Sequence, residues 1–222
     1  MAEIVVHHLE KSRSHRILWL LAELGLEYTL KTYERHPETM RADPALREVH
    51  ALGKAPIVVI DGVVMAESGA VIEALVDGPG GGKLKPTDAQ SLAHYRYWMH
   101  YAEGSLMPPL LVRLIFDRIK KAPLPFFIKP IAKTLVTKVD EAYTDPELAL
   151  HTEFMEAHLT EHAWFAGAAF SAADVQMSYP VQALLHRGGT KTPKLKGWLE
   201  RVQARAGYQE AEAKGGPNVM PS

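Results

Sequence analysis

Apolar positions change their period partway along this chain, and the change divides it in two. Ile4, Val5 and Val6 form a short β-branched run suited to a buried strand. After the polar stretch Glu10 to His15, the residues Ile17, Leu20, Leu21 and Leu24 recur at helical spacing, and Gly25 supplies a stop. Tyr28 to Tyr33 alternates as a strand does. Strand, crossover helix and strand make a βαβ unit, which predicts a parallel pair. A loop-rich stretch with Pro37 and Pro44 follows, and Asp43-Pro44 predicts a short helix through Val49. Ile57 to Ile60 is apolar and β-branched, Asp61-Gly62 signals a two-residue hairpin turn, and Val63 to Met65 is the returning strand. Ser68 is placed to cap a helix that turns Val71, Ile72, Leu75 and Val76 inward. Residues 1–78 therefore predict one α/β layer of four strands, βαβ and then ββα.

The glycine- and proline-rich stretch Asp77 to Pro86 reads as a connection, with residues 79–87 as the linker proper. Strand signals then stop. Leu92, Tyr95, Met99 and Ala102 share one helical face, and Pro108-Pro109 and Pro123, Pro125 and Pro130 punctuate further helices. Asp145-Pro146 opens another that runs to about His162. Ser171 with Asp174 has the form of a capping box, with Asp in place of the usual Glu. Gly188-Gly189 ends the helix that follows, and Thr192-Pro193 opens the last clear one, carrying Leu195, Leu199 and Val202. Residues 88–222 are predicted to be all-helical, so the fold class is α/β plus all-α.

Composition narrows the chemistry. Hydrophobic residues make up 47% of the chain, ordinary for a packed protein. The 25 basic and 26 acidic residues give a formal charge of -1, so no field of one sign draws in nucleic acid. There are no cysteines, which removes disulfides, thiolate metal sites and a protein thiol nucleophile together. Any sulfur chemistry must come from a bound substrate. No basic region followed by a long apolar run opens the chain, and no apolar segment reaches the roughly 18 residues of a membrane span. A cytoplasmic protein with a small-molecule partner is expected.

Three segments of the first half carry candidate chemistry. Lys11-Ser12-Arg13-Ser14-His15-Arg16 lies between the first strand and first helix, where free amides and the helix dipole favour an anion. A serine hydroxyl there can donate to a thiolate, although Ser12 or Ser14 can equally be a plain cap. Leu52-Gly53-Lys54-Ala55-Pro56-Ile57 leads into the third strand. A cis bond before Pro56 would present the backbone of Ala55 to an extended peptide ligand; a loop-ending proline is the plainer reading. Glu67-Ser68-Gly69 starts the next helix and offers amides and a hydroxyl to a carboxylate and an acidic acceptor to an ammonium, or again simply a cap.

Together these segments resemble the soluble glutathione transferase superfamily over essentially the whole chain. The runs His8 to Leu21, Tyr101 to Leu110 and Ser171 to Asp174 are similar to its fungal and bacterial branch, typified by the yeast endoplasmic-reticulum-associated transferase. The resemblance implies a thioredoxin-like domain that binds glutathione and a helical domain that forms an electrophile pocket, with Glu103 to Leu111 as part of its wall. Ser12 resembles the serine that hydrogen-bonds the glutathione sulfur, and its spacing to Arg16 matches the zeta-class pattern; Ser14 is the rival. Ala55 resembles the residue whose backbone pairs with the cysteinyl portion, and Pro56 the family's cis-proline. Lys54 is expected to meet the glycyl carboxylate with help from His50, while Glu67 and Ser68 resemble the γ-glutamyl clamp. The implied activity is conjugation of the glutathione thiolate to apolar electrophiles, with peroxide reduction as a second activity. Glutathione acts as co-substrate with no further cofactor, and a homodimer is implied. The alternative is a glutathione-binding or protein-interaction module of the same fold with little turnover.

Two other signals are set aside. Asp77-Gly78-Pro79-Gly80-Gly81-Gly82-Lys83-Leu84 superficially resembles a phosphate loop but lacks its first glycine and its hydroxyl residue. His151, His158 and His162 share a helical face by spacing, yet a solvated histidine face is the reading taken, and no metal is expected. His7 and His8 end a strand and are assigned no role.

Overall fold

The computed structural model describes residues 2–186 and 191–216; the Gly188-Gly189 stop lies outside them. In chain order the first half holds β1 (Ile4–Leu9), α1 (His15–Leu24), β2 (Thr29–Tyr33), α2 (Leu46–Val49), β3 (Ile57–Ile60), β4 (Val63–Ala66) and α3 (Ser68–Asp77). The sheet order is β2-β1-β3-β4, with β1 parallel to β2 and the other neighbours antiparallel. This is the predicted thioredoxin-like layer. Val6 pairs with Leu30 on one side and Val58 on the other, so the apolar run of β1 lies mid-sheet. Asp61 and Gly62 both have positive φ (49° and 81°), as a primed two-residue hairpin turn requires.

Helix α1 shows why its apolar period looks incomplete. His15 through Leu21 and Leu24 are all buried, because α3 and two helices of the second half, Ala172–His186 and Ala206–Gly215, surround it. A helix apolar on one stripe has a wet face; this one has none. Gly25 closes it in the left-handed conformation, its N–H bonded to the carbonyls of Leu21 and Ala22.

The second half is helical throughout, among the described residues. Helix α4 (Ala89–Tyr101) passes through a π-turn, Ala102–Leu106, into α5 (Met107–Lys121). Helix α6 (Lys129–Val139) does the same through Asp140–Thr144 into α7 (Asp145–Glu161). Asp145-Pro146 opens α7 as expected, and Pro108-Pro109 fall at the start of α5. In both cases the prolines sit in the first turn after a π-turn, where a missing N–H costs little, so no loop separates the helix from the one before it. Then come α8 (Ala172–His186), α9 (Pro193–Gln203) and α10 (Ala206–Gly215). Helix α10 was not predicted, since only Tyr208, Ala211 and Gly215 are buried along it.

One apolar cluster runs through both halves, from Ile4 and Val6 through α1 and α4 to Trp198 and Ala211. Trp19, Trp98 and Trp198 are fully buried in it, and truncating any of them would cost about 3–5 kcal/mol. Asp174 anchors the helical half. Its carboxylate accepts from Ser171 N and Oγ, as the capping-box pattern predicts, and also from Phe165 N and Trp198 Nε1.

Candidate active site

The loop between β1 and α1 brings Ser12 and Ser14 to the top of the sheet. Ser14 occupies the N-cap position of α1 but makes no side-chain cap bond, so the plain capping reading does not hold for it. Its Oγ is fully buried and lies 2.8 Å from His8 Nδ1 and 2.8 Å from Ser12 Oγ. It also accepts from Leu9 N and lies 3.1 Å from Leu9 O. His8 in turn places Nε2 2.9 Å from Gly215 O on α10.

Proton counting fixes the direction of this chain. A carbonyl only accepts, so His8 Nε2 carries the proton and Nδ1 the lone pair. Burial lowers the His8 pKa, although Gly215 O and Glu10 pull the other way, which keeps the ring neutral. Ser14 therefore spends its one proton on His8 Nδ1 or Leu9 O and has none left for Ser12. Ser12 Oγ–H donates to Ser14 Oγ, while Ser12 Oγ accepts from Ser14 N–H at 3.1 Å. The His8 role was missed in the sequence, since its partners lie six and 207 residues away.

The amides at the start of α1 are less available than expected. Ser14 N–H goes to Ser12 Oγ, and those of His15 and Arg16 go to the carbonyls of Ser12 and Arg13. With these three amides taken, an anion here still meets the positive end of the helix dipole and the Ser12 hydroxyl.

Arg16 ties this loop to the helical half. Its guanidinium is fully buried and donates to Gln176 O, Ser68 Oγ and Glu103 Oε1 at 2.6, 2.8 and 2.6 Å. Glu103 also accepts from Arg13 Nε at 3.1 and 3.2 Å. Burial alone would raise the Glu103 carboxyl pKa, but Arg16 and Arg13 outweigh it and hold the group below its ordinary value. Ser68, expected as a cap, is instead the first residue of α3 and an acceptor for Arg16.

Two adjoining clefts open beside these residues. The larger, of about 720 Å³, is lined by Ser12, Arg13, Lys54, Ala55 and Tyr179, with Arg35, Arg41 and Arg47 adding positive charge. The smaller, of about 230 Å³, holds His50, Lys54, Ala55, Pro56, Glu67, Ser68 and Glu103. Arg13, Lys54 and Ala55 belong to both, so the clefts are continuous. The Ala55-Pro56 bond is cis, and Glu67 takes a positive φ of 70° that a non-glycine residue adopts only under constraint. Ser12, His50, Lys54, Ala55, Pro56, Glu67 and Ser68 are thus brought together. Ser14 is not, because it sits behind Ser12 with no exposed surface. Leu106 and Leu110, expected in a pocket wall, are buried in the core, and of that segment Glu103 faces the cleft. Tyr179, with the Arg13 guanidinium 4.9 Å above its ring, was not foreseen.

A thioredoxin-like layer with a cationic cleft is thus joined to a helical bundle through Arg16 and Glu103. The family model for the glutathione S-transferase N-terminal domain matches residues 12–77. The chain is 37% identical over 223 residues to Glutathione S-transferase 3 of Schizosaccharomyces pombe, covering 98% of this chain and 90% of that one. It is 30% identical to Glutathione S-transferase 1 of Saccharomyces cerevisiae, covering 95% and 94%. The chain belongs to the glutathione S-transferase family. Among solved structures, the glutathione S-transferase of Actinobacillus pleuropneumoniae superposes with a TM-score of 0.75 at 28% identity, over 96% of this chain and 92% of that one. A theta-class enzyme of Xanthomonas axonopodis pv. citri, solved with glutathione bound, shares the fold with a TM-score of 0.71 at 19% identity over the full length of both chains.

Proposed function

We propose that this enzyme conjugates glutathione to apolar electrophiles by holding its sulfur as a thiolate against Ser12. One observation carries the reading: Ser12 is the serine that lines the cleft, and its proton is free to swing from Ser14 to an incoming sulfur. The exchange trades a neutral hydrogen bond for a charge-assisted one. Such a bond contributes about 1.5–3 kcal/mol, enough to lower a thiol pKa of about 8.5 by roughly one to two units. The thiolate then attacks the electrophilic carbon and the leaving group departs with its electron pair. The same thiolate would reduce organic hydroperoxides, two glutathiones giving one disulfide, an alcohol and water.

The remaining parts of the tripeptide find complementary chemistry. Lys54 would pair with the glycyl carboxylate, with His50 nearby, and the backbone of Ala55 before Pro56 would pair with the cysteinyl unit. Glu67 would accept from the γ-glutamyl ammonium. Ser68 accepts from Arg16, so its own proton is available to the γ-glutamyl carboxylate. The electrophile would lie near Tyr179 and Arg13. A cytoplasmic homodimer without nucleic-acid partners completes the reading. Among the described residues, no helix is long and apolar enough to cross a membrane.

The test is conjugation of a chloronitrobenzene by purified protein, with the pH profile of kcat/KM. Ser12→Ala is expected to lose roughly 10- to 100-fold at pH 6.5 and to recover part of it at high pH, where solvent ionises the thiol. An unchanged rate and profile in Ser12→Ala would overturn the serine mechanism.

A further inference from the structure

Away from the cleft, three histidines converge on the seam between α4 and α7. His94 comes from α4, His158 from the last turn of α7 and His162 from the residue that follows it. One nitrogen from each ring lies within 4.8 Å of the others, and the ring centroids are 5.4, 5.1 and 4.5 Å apart. All three are half-buried. Spacing alone groups His151 with His158 and His162, but the structure sends His151 to Tyr101 and Glu147 and brings in His94 instead.

We propose that His94, His158 and His162 form a binding site for a divalent transition ion of the zinc type, clamping α4 to α7 and leaving one coordination position for water. Two observations carry this. First, the geometry is close: tetrahedral zinc at about 2.0–2.1 Å from each nitrogen needs ligand atoms about 3.3 Å apart. A triangle 4.8 Å on a side reaches that if each ring moves inward by less than about 1 Å, a side-chain rotation. Second, His158 Nε2 lies 3.0 Å from Phe165 O, which fixes the proton on Nε2 and leaves Nδ1 as a lone pair. A backbone carbonyl behind a ligating imidazole is the usual outer support of such sites. An all-imidazole set favours zinc, nickel or copper over calcium or magnesium, which prefer oxygen. Trp98, 4.8 Å from the His158 ring, walls the site on the core side.

The test uses tag-free, chelator-treated full-length protein without glutathione, which itself binds zinc. Cobalt(II) is titrated and followed by its visible ligand-field bands, and zinc(II) is then added to displace it. One cobalt per chain with tetrahedral band intensity is expected, along with a zinc-dependent rise in the unfolding midpoint. His94→Gln and His162→Gln are each expected to weaken binding by about 100-fold or more, and His151→Gln to leave it unchanged. His162 lies beyond the end of α7, so its substitution serves even if the His94 variant folds poorly. A wild-type protein without saturable cobalt binding overturns the proposal, as does a His162→Gln protein that binds as tightly as wild type.

Discussion

Replacing Glu103 with glutamine keeps the size of the side chain and one acceptor oxygen while deleting the only carboxylate bonded to Arg16 among the described residues. Arginine cannot shed its proton to escape burial. Its guanidinium has no exposed surface, whereas the Glu103 side chain is 34% exposed. A buried charge stripped of its partner costs about 3–5 kcal/mol. Two neutral acceptors, Gln176 O and Ser68 Oγ, stay in place, and water reaches the Glu103 side. The cost therefore falls at or just below the bottom of that range, about 2–3 kcal/mol. For a chain of 222 residues each kcal/mol moves the unfolding midpoint by roughly 2–4 °C, so Glu103→Gln is expected to melt roughly 5–10 °C lower. The control is Arg13→Gln. That arm of the network is about one-third exposed, and its loss should cost no more than about 1 kcal/mol. Calorimetry and urea denaturation of the three proteins read the difference. If Glu103→Gln melts within about 1 °C of wild type, or no lower than Arg13→Gln, the buried cation does not depend on its carboxylate and the account of the domain junction is wrong.

Two further substitutions probe the packing of α1. His15 is buried with neither ring nitrogen hydrogen-bonded, and burial, aided by His8, lowers its pKa to about 4. Its contribution is complete above the unfolded value of about 6.5 and is lost as pH falls toward 4, because only the unfolded chain takes up the proton; about 2 kcal/mol is gone by pH 5. His15→Leu lacks this term, so wild type should lose about 2 kcal/mol more than the variant between pH 7.5 and 5 in urea titrations, and parallel losses would refute it. A Cβ on Gly215 would collide with Leu18 Cδ1 and lie 3.0 Å from His8 Nε2, so Gly215→Ala should cost about 1–3 kcal/mol. Gly197→Ala, inside α9 with only Arg201 Nη1 at 3.8 Å, should instead stabilise by up to about 1 kcal/mol; equal midpoints for the two would count against the α1–α10 contact.

The strands were legible because each combines a β-branched run with a turn signal inside the same dozen residues. Asp61-Gly62 is the clearest case, since only residues tolerant of positive φ close so tight a hairpin. Helix boundaries were less legible in the second half. Pro108-Pro109 and Asp145-Pro146 mark where helices begin but not that each continues the helix before it, because the π-turn rearranges the ladder just before the missing donor. Helix α10 was silent because Tyr208 is its one large buried side chain, and the other buried positions, Ala211 and Gly215, are small. Gly215 makes contact by lacking a side chain, and no hydrophobic period records an absence.

The candidate site divides along the same line. Residues that face the cleft from the short segments before α1, β3 and α3, such as Ser12, Lys54, Ala55 and Glu67, stand out through local motifs. The groups that decide how those residues behave come from far along the chain: Glu103 beneath Arg13 and Arg16, Tyr179 across the cleft, and Gly215 behind His8. The choice between Ser12 and Ser14 turns on the last of these. Two hydroxyls 2.8 Å apart are equivalent until something states which proton is already committed. The Gly215 carbonyl does so through the His8 ring, making Ser14 the acceptor and leaving the movable proton of the pair on Ser12. A substitution that displaces the Gly215 carbonyl should therefore disturb the Ser12 hydroxyl, the one proposed to meet the sulfur, without touching it.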